Sequence, residues 1–279
     1  MRKLEEQFFK ILMYISTAII IGVLGYILFV IVRRGLPSLS WDMISKVPSG
    51  GFYLGKEGGI LNAIIGSLMI ITGSVIISTF ISLPVALFIN FIMKRKSPWA
   101  NAARFGFDIL LGIPSIVYGS FGFMLMIYFG IKASLFGGII AVSLLIIPIM
   151  VRSIDEVAAF VPRDLIEATM SLGATRYETM KVVVRQLLPG ITTAILLAVG
   201  RGIGDAATVL FTAGFTDSIP ISPDQPTATL PLAIFFQLSS PIEEVQNRAY
   251  AAALILTIII LILSFSARYF SRKLSKSKI

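Results

Sequence analysis

Gly200-Arg201-Gly202-Ile203-Gly204-Asp205 sets two opposite charges inside an otherwise apolar stretch of the chain. An arginine or aspartate near a bilayer centre costs about 2.5–3.5 kcal/mol on insertion scales, so such residues are paired or functional. Their i, i+4 spacing puts Arg201 and Asp205 on one helix face, which allows an internal ion pair. It equally allows Arg201 to line a water-filled path and meet an anion, with Asp205 orienting it or loading it between turnovers; both can hold at once. The three glycines let a neighbouring backbone or a substrate come close, and helix packing needs them just as much. A second cluster is Leu111-Gly112-Ile113-Pro114-Ser115-Ile116-Val117-Tyr118-Gly119. Gly-Ile-Pro-Ser at membrane depth either kinks a packed helix or breaks it, presenting backbone N–H groups and the Ser115 hydroxyl to an anion. Asp108, one turn earlier, is placed to pair with Arg104.

A third constellation is polar. Between Pro162 and Gly190 the hydrophobic pattern is interrupted by RDLIEATMSLGATRYETMKVVVRQLLPG. Asp164 with Glu167, and Thr175 with Glu178, are two successive capping-box signatures, predicting two short helices. Gly173 falls between them, where a helix end needs positive φ. Tyr177, Met180, Val184 and Leu187 recur at helical spacing as an apolar stripe, and Pro189 is expected to limit continuation into the next span. Periodicity alone fits a solvated interhelical loop as well as a surface built to touch another protein.

The elements that position these residues follow from composition. The chain of 279 residues is 56% hydrophobic and 14% charged, with mean hydropathy +0.89; it reads as a polytopic membrane protein. Spans are expected at roughly 11–32, 60–93, 102–130, 133–151, 188–216 and 248–269. The first follows Arg2, Lys3 and Lys10 but is too long and lacks a small-residue cleavage site, so it reads as a retained anchor. With the N-terminus inside, seventeen Lys and Arg fall on the cytoplasmic side and six on the other, predicting both termini and the polar loop inside. Arg33 and Arg34, at the outer end of the first span, run against that count.

Several function classes drop out. With no cysteine and no histidine there is no disulfide framework, no Cys or His zinc ligand, and no Ser–His or HExxH proteolytic centre. The net charge of +9 marks cytoplasmic flanks rather than nucleic-acid binding, since no basic stretch is interleaved with aromatics. Gly50-Gly51-Phe52-Tyr53-Leu54-Gly55-Lys56 has the spacing of a phosphate-binding loop, but Glu57 replaces the Ser or Thr that holds Mg²⁺ and no β-strand is expected before it. Energy from ATP would have to enter through a partner.

Glu167-Ala168-Thr169, then Gly173-Ala174, and downstream Leu188-Pro189-Gly190 resemble the loop by which the membrane subunits of ABC importers dock onto their ATPase. Thr169 stands where the family usually has Ala, and Val183-Val184-Arg185-Gln186 stands where it has an earlier Leu-Pro. GIPSIVYGSFGF, GRGIGDAATVLFTAGF and LPLAIFFQLSSP resemble the phosphate-specific branch of that family, with Asp205 in place of its usual Glu. The resemblance covers roughly residues 60–270. It implies an all-α type I importer fold of about six transmembrane helices. An anchor and external loop (1–59) would precede the transmembrane domain (60–279), with its coupling loop at 162–190.

The implied function is the permease subunit of an ATP-driven phosphate importer in a prokaryotic plasma membrane. Glu167, Ala168, Gly173 and Ala174 would couple to the ATPase, and Arg201, Asp205 and Ser115 would line the substrate path. The implied partners are a second, related permease, an ATPase dimer, an extracytoplasmic phosphate-binding protein and membrane lipid. ATP and Mg would sit on the ATPase, with no cofactor, metal or catalytic residue on this chain. Sulfate or molybdate as substrate, an ion-gradient transporter using Arg201 and Asp205 as a relay, and a scaffold without transport activity are the alternatives.

Overall fold

The computed structural model describes residues 2–49, 57–93 and 97–276. The stretch with phosphate-loop spacing at 50–56, and the basic residues 94–96, lie outside them. Ten helices and one two-stranded ribbon are present among the described residues: α1 (Arg2–Gly35), α2 (Trp41–Ser45), β1 (Pro48–Ser49) paired antiparallel with β2 (Glu57–Gly58), α3 (Leu61–Leu87), α4 (Pro98–Leu111), α5 (Ser115–Tyr128), α6 (Leu135–Ala158), α7 (Arg163–Ser171), α8 (Arg176–Ile203), α9 (Leu230–Leu238) and α10 (Glu243–Lys276). A π-helical turn, Phe88–Ile92, extends α3. Among the described residues five helices are long and apolar enough to cross a membrane, and α4 with α5, bent by 99° at their junction, makes six if the pair is one span.

The seam between α3 and α6 organises the bundle. Ser74 Oγ donates to the Ile139 carbonyl (2.9 Å), Ser78 to Ser143 (3.3 Å) and Ser82 to Ile147 (3.3 Å), and Asn90 Nδ2 donates to Asp155 (2.7 Å). Every pair is 65 residues apart, so the two helices run parallel in fixed register. In an apolar medium a buried hydroxyl must find a protein acceptor, and the carbonyls of a neighbouring helix supply it. Parallel neighbours also decide the count of crossings. A chain that leaves α3 at one end and re-enters α6 at the other must cross back once between them, so α4 and α5 together form one span.

Helix α6 is apolar on nearly all sides and accordingly sits at the centre. It buries Val142, Leu145, Ile146 and Met150 against Ile70 of α3, Tyr118 of α5, Ala198 of α8, and Val209 and Ala213. The segment between α8 and α9 caps it: the N–H groups of Ser134, Leu135 and Phe136 donate to the carbonyls of Thr212, Gln225 and Pro223 (2.8–2.9 Å). These are the N-terminal donors that a helix cannot satisfy internally. Helix α1 is peripheral and packs on α10, where the Arg34 guanidinium lies 5.2 Å from the centre of the Tyr250 ring. That cation–π contact gives one of the two outlying arginines a local partner.

Two expected boundaries change. The predicted span at 188–216 is instead α8, which starts at Arg176 and stops at Ile203. Pro189 does not interrupt it, because proline removes one internal hydrogen bond without forbidding helix where neighbours pack around it. The second short helix of the polar stretch is thus the first turns of α8. Its buried stripe is Thr179, Val183, Leu187, Ile191, Ala194 and Ala198. The expected stripe held Leu187 but misplaced Tyr177, which is 70% exposed with the Lys181 ammonium 4.6 Å from its ring centre.

Close packing makes a direct test. A Cβ on Gly66 would overlap the Ala228 carbonyl oxygen, whereas one on Gly22 of α1 meets nothing within 4 Å. Gly66→Ala is expected to lower stability by about 1–3 kcal/mol, and Gly22→Ala to be neutral or slightly stabilising, in thermal unfolding of the purified protein in detergent.

Candidate functional site

Two regions carry the residues singled out by sequence, one at each end of α8. At its start, Ala159–Pro162 links α6 to α7. Pro162 is the N-cap of α7 and makes no side-chain cap, so Asp164 lies within the first turn. The Asp164–Glu167 capping box is therefore not formed: proline fixes where the helix begins, two residues before the position that box requires. The Thr175–Glu178 box is formed. The Thr175 N–H donates to Glu178 Oε2 (2.8 Å), and the Glu178 N–H donates to Thr175 Oγ1 (3.3 Å).

Between the helices Gly173 has φ +80, and its N–H donates to the Met170 carbonyl (3.0 Å). A Cβ there would meet nothing within 4 Å, so the requirement for glycine is conformational rather than steric. Glu167, Ala168 and Gly173 are exposed and Ala174 is half-buried. Thr169, the departure from alanine, gives its hydroxyl to the Leu165 carbonyl (2.5 Å), which leaves the helix surface unchanged in hydrogen bonding. The loop stands off the bundle over a cavity of about 640 Å³, whose lining includes Phe91, Ile166, Glu167, Met170, Arg176 and Met180.

At the other end the helix stops at Gly204, and Asp205 leaves the helical path. Arg201 and Asp205 consequently do not share a helix face, and no ion pair joins them. Asp205 Oδ2 accepts instead from the Thr208 N–H (2.8 Å), opening the turn that follows. Thr208 is fully buried, and its hydroxyl donates to the Ser115 carbonyl (3.3 Å). The contact is close because Gly119 has no side chain: a Cβ there would lie 2.7 Å from the Ala207 carbonyl oxygen. Asp205 and Ser115 are thus brought together through Thr208, which sequence reasoning did not select. Ser115 opens α5 just after the 99° bend at Gly112-Ile113-Pro114, so the helix is broken there rather than kinked. Arg201 is exposed and forms no hydrogen bond or ion pair with any described residue. A guanidinium left unpaired at the end of a span calls for water or an anion.

A third cluster was missed. Arg104 grips Asp155 with Nε (3.1 and 3.0 Å) and Nη2 (3.0 Å), while Arg152 bridges Asp155 (2.6 Å) and Asp108 (2.6 Å). The expected Arg104–Asp108 pair on α4 does not form. Asp155 is 4% exposed, and a buried carboxylate needs full compensation, so it draws Arg104 across to α6. The visible signal was an aspartate four residues beyond the apolar run 144–151, near the end of a span.

The family model for the binding-protein-dependent transport system inner membrane component matches residues 79–276. The chain belongs to that family. A protein of Haemophilus influenzae called phosphate transport system permease protein PstA is 35% identical over 96% of this chain and 94% of its own length. One of the same name from Pasteurella multocida is 32% identical over 99% and 97%. Among solved structures, the MetNI methionine ABC transporter in an inward facing conformation superposes with a TM-score of 0.61, at 19% identity, over 77% of this chain and 95% of that one. At that identity the fold alone is shared, and it is the fold of an ABC importer permease. The chain is a multi-pass membrane component of a transport system of this family.

The loop geometry yields a selective expectation. Asparagine tolerates positive φ and valine does not, with left-handed backbone costing L-residues roughly 1–2 kcal/mol. Gly173→Asn is expected to leave limited proteolysis between α7 and α8 unchanged, and Gly173→Val to speed it severalfold.

Proposed function

We propose that this chain is the transmembrane permease subunit of an ATP-driven phosphate importer, forming part of the translocation path and coupling it to a separate ATPase. The observation that carries the reading is the unpaired Arg201 at one end of the same helix that begins, at Arg176, in the polar loop. Twenty-five residues of helix separate them, about 37 Å at 1.5 Å per residue. A displacement of the loop then moves the guanidinium with it.

In this reading the exposed surface at Glu167, Ala168, Gly173 and Ala174 seats the ATPase on the cytoplasmic side, where the distribution of Lys and Arg supports placing both termini. Closure of an ATPase dimer with bound ATP and Mg moves α7 and α8 as a lever, and the bundle alternates between outward-open and inward-open forms. Phosphate meets Arg201 as a charge-assisted bidentate ligand. Asp205 and Ser115, held together by Thr208, shape the wall at the elbow of the broken span. A second, related permease completes the path, and an extracytoplasmic phosphate-binding protein delivers the anion. The names of the relatives and the resemblance of the GRGIGD and GIPS segments support phosphate over other oxyanions.

Reconstitution of the assembled importer in proteoliposomes tests this. Arg201→Ala is expected to assemble and hydrolyse ATP while phosphate uptake falls on the order of a hundredfold, as loss of a charged contact of about 2.7 kcal/mol implies. Uptake at the wild-type rate would remove Arg201 from the path. Full inhibition of wild-type uptake by equimolar sulfate or molybdate would move the assignment to another oxyanion.

A further inference from the structure

The cluster around Asp155 is not used by the path just described, yet it lies between the polar loop and the broken span. Asp155 stands one turn before the end of α6, and the four residues 159–162 join that end to α7. Its oxygens take donors from three elements: Asn90 on the π turn after α3 (2.7 Å), Arg104 on α4 and Arg152 on α6. Arg104 Nη2 also donates to Asn90 Oδ1 (3.2 Å), closing the ring of contacts. Two arginines face two aspartates, so the group is neutral overall, and its carboxylate is satisfied on both oxygens.

What the cluster holds is α4. Of the described side chains on α4 only Ala100 is buried, and Trp99, Phe105 and Ile109 are exposed. Apolar burial within this chain therefore does little to fix α4, and Arg104 and Asp108 are its main grip on α6. From α4 the hydrogen bonds continue across the break. The Tyr118 hydroxyl of α5 donates to the Leu110 carbonyl (2.8 Å), one turn before Pro114, and the Ser115 carbonyl accepts from Thr208, whose N–H is held by Asp205.

We propose that Asp155 is a positioning residue that fastens α4 to the arm formed by α6 and α7, so that a movement of the polar loop reaches the Gly112–Pro114 elbow through α4 as well as through α8. This rests on the reading of that loop as the part an ATPase drives. Arm and α4 move as one body, and the change of angle is taken up at the elbow, beside Ser115. The path has two driven walls: α8 carries Arg201, and α4 bends the entrance to α5.

The test uses the assembled importer with spin labels at Trp99 on α4 and Leu172 at the tip of the loop, 75% and 89% exposed. Their separation is measured without nucleotide and with ATP trapped on a hydrolysis-deficient ATPase. In the otherwise wild-type protein it is expected to stay constant. With Asp155→Asn it should change on trapping, and the ATP consumed per phosphate moved, measured with active ATPase, should rise on the order of tenfold. Should Asp155→Asn fail to assemble, Arg104→Lys keeps the charge but cannot grip both carboxylate oxygens and Asn90; the same two changes are expected, smaller in size. A wild-type separation that changes on trapping overturns the inference. So does an Asp155→Asn or Arg104→Lys variant matching wild type in both readouts. The labels respond to ATP whatever anion is carried, so a wild-type complex that moves no phosphate defeats the substrate assignment while the label distances still decide the role of Asp155.

Discussion

A polar group that leaves water for a membrane must be answered by the protein itself, and the α3–α6 seam is where this chain meets that constraint most fully. Three serine hydroxyls on α3 and one asparagine amide on the π turn that extends it reach acceptors on α6 at a single register. A slip of one residue would take the three serine donors away from those carbonyls, each unmet group costing on the order of 1–3 kcal/mol. The seam therefore fixes α6 as the axis of the bundle. Everything of functional interest is placed relative to it: α8 packs along it, α5 leans on it through Tyr118, and α4 is tied to its last turns by charge.

From that axis the functional geometry follows with few additional devices. Proline 162 starts α7, Gly173 reverses the chain, and the Thr175–Glu178 box starts α8. Helix α8 then runs past Pro189 to the glycine-rich end where Arg201 sits. Beyond it the buried threonines of the 205–214 segment replace helix with a wedge, pressed against α5 where Gly119 makes room. Strong local signals define the loop, whereas the wedge, beyond its own local turns, is held in place by tertiary contacts.

That difference explains what could be read in advance. Long apolar runs and their breaks are properties of neighbouring residues, so the spans, the positive-φ glycine and the second capping box were legible in the sequence. The broken helix at Pro114 was visible as one of two readings, and the contact between Thr208 and Ser115, 93 residues away, chose between them. Arg201 and Asp205 looked like partners because their spacing is helical. The helix ends between them, since the turn beginning at Asp205 offers its carboxylate a backbone N–H that the helix does not. Arg104 and Asp108 misled in the same way, for a local pair at the surface gains little while a buried Asp155 across the seam demands two cations. Short helix α9 was recognisable only as a motif, because nine mostly apolar residues are too few for a span and too regular for a loop.

The proposed coupling requires α8 to be one unbroken body from loop to guanidinium in every state of the transport cycle. Spin labels at Tyr177 and Leu197, both exposed and on either side of Pro189, measure that directly in the assembled importer. Twenty residues of helix place them about 30 Å apart, and the account predicts the same separation without nucleotide and with ATP trapped. A separation that shortens by several ångströms in either state would show α8 folding at Pro189, and the lever would have no arm.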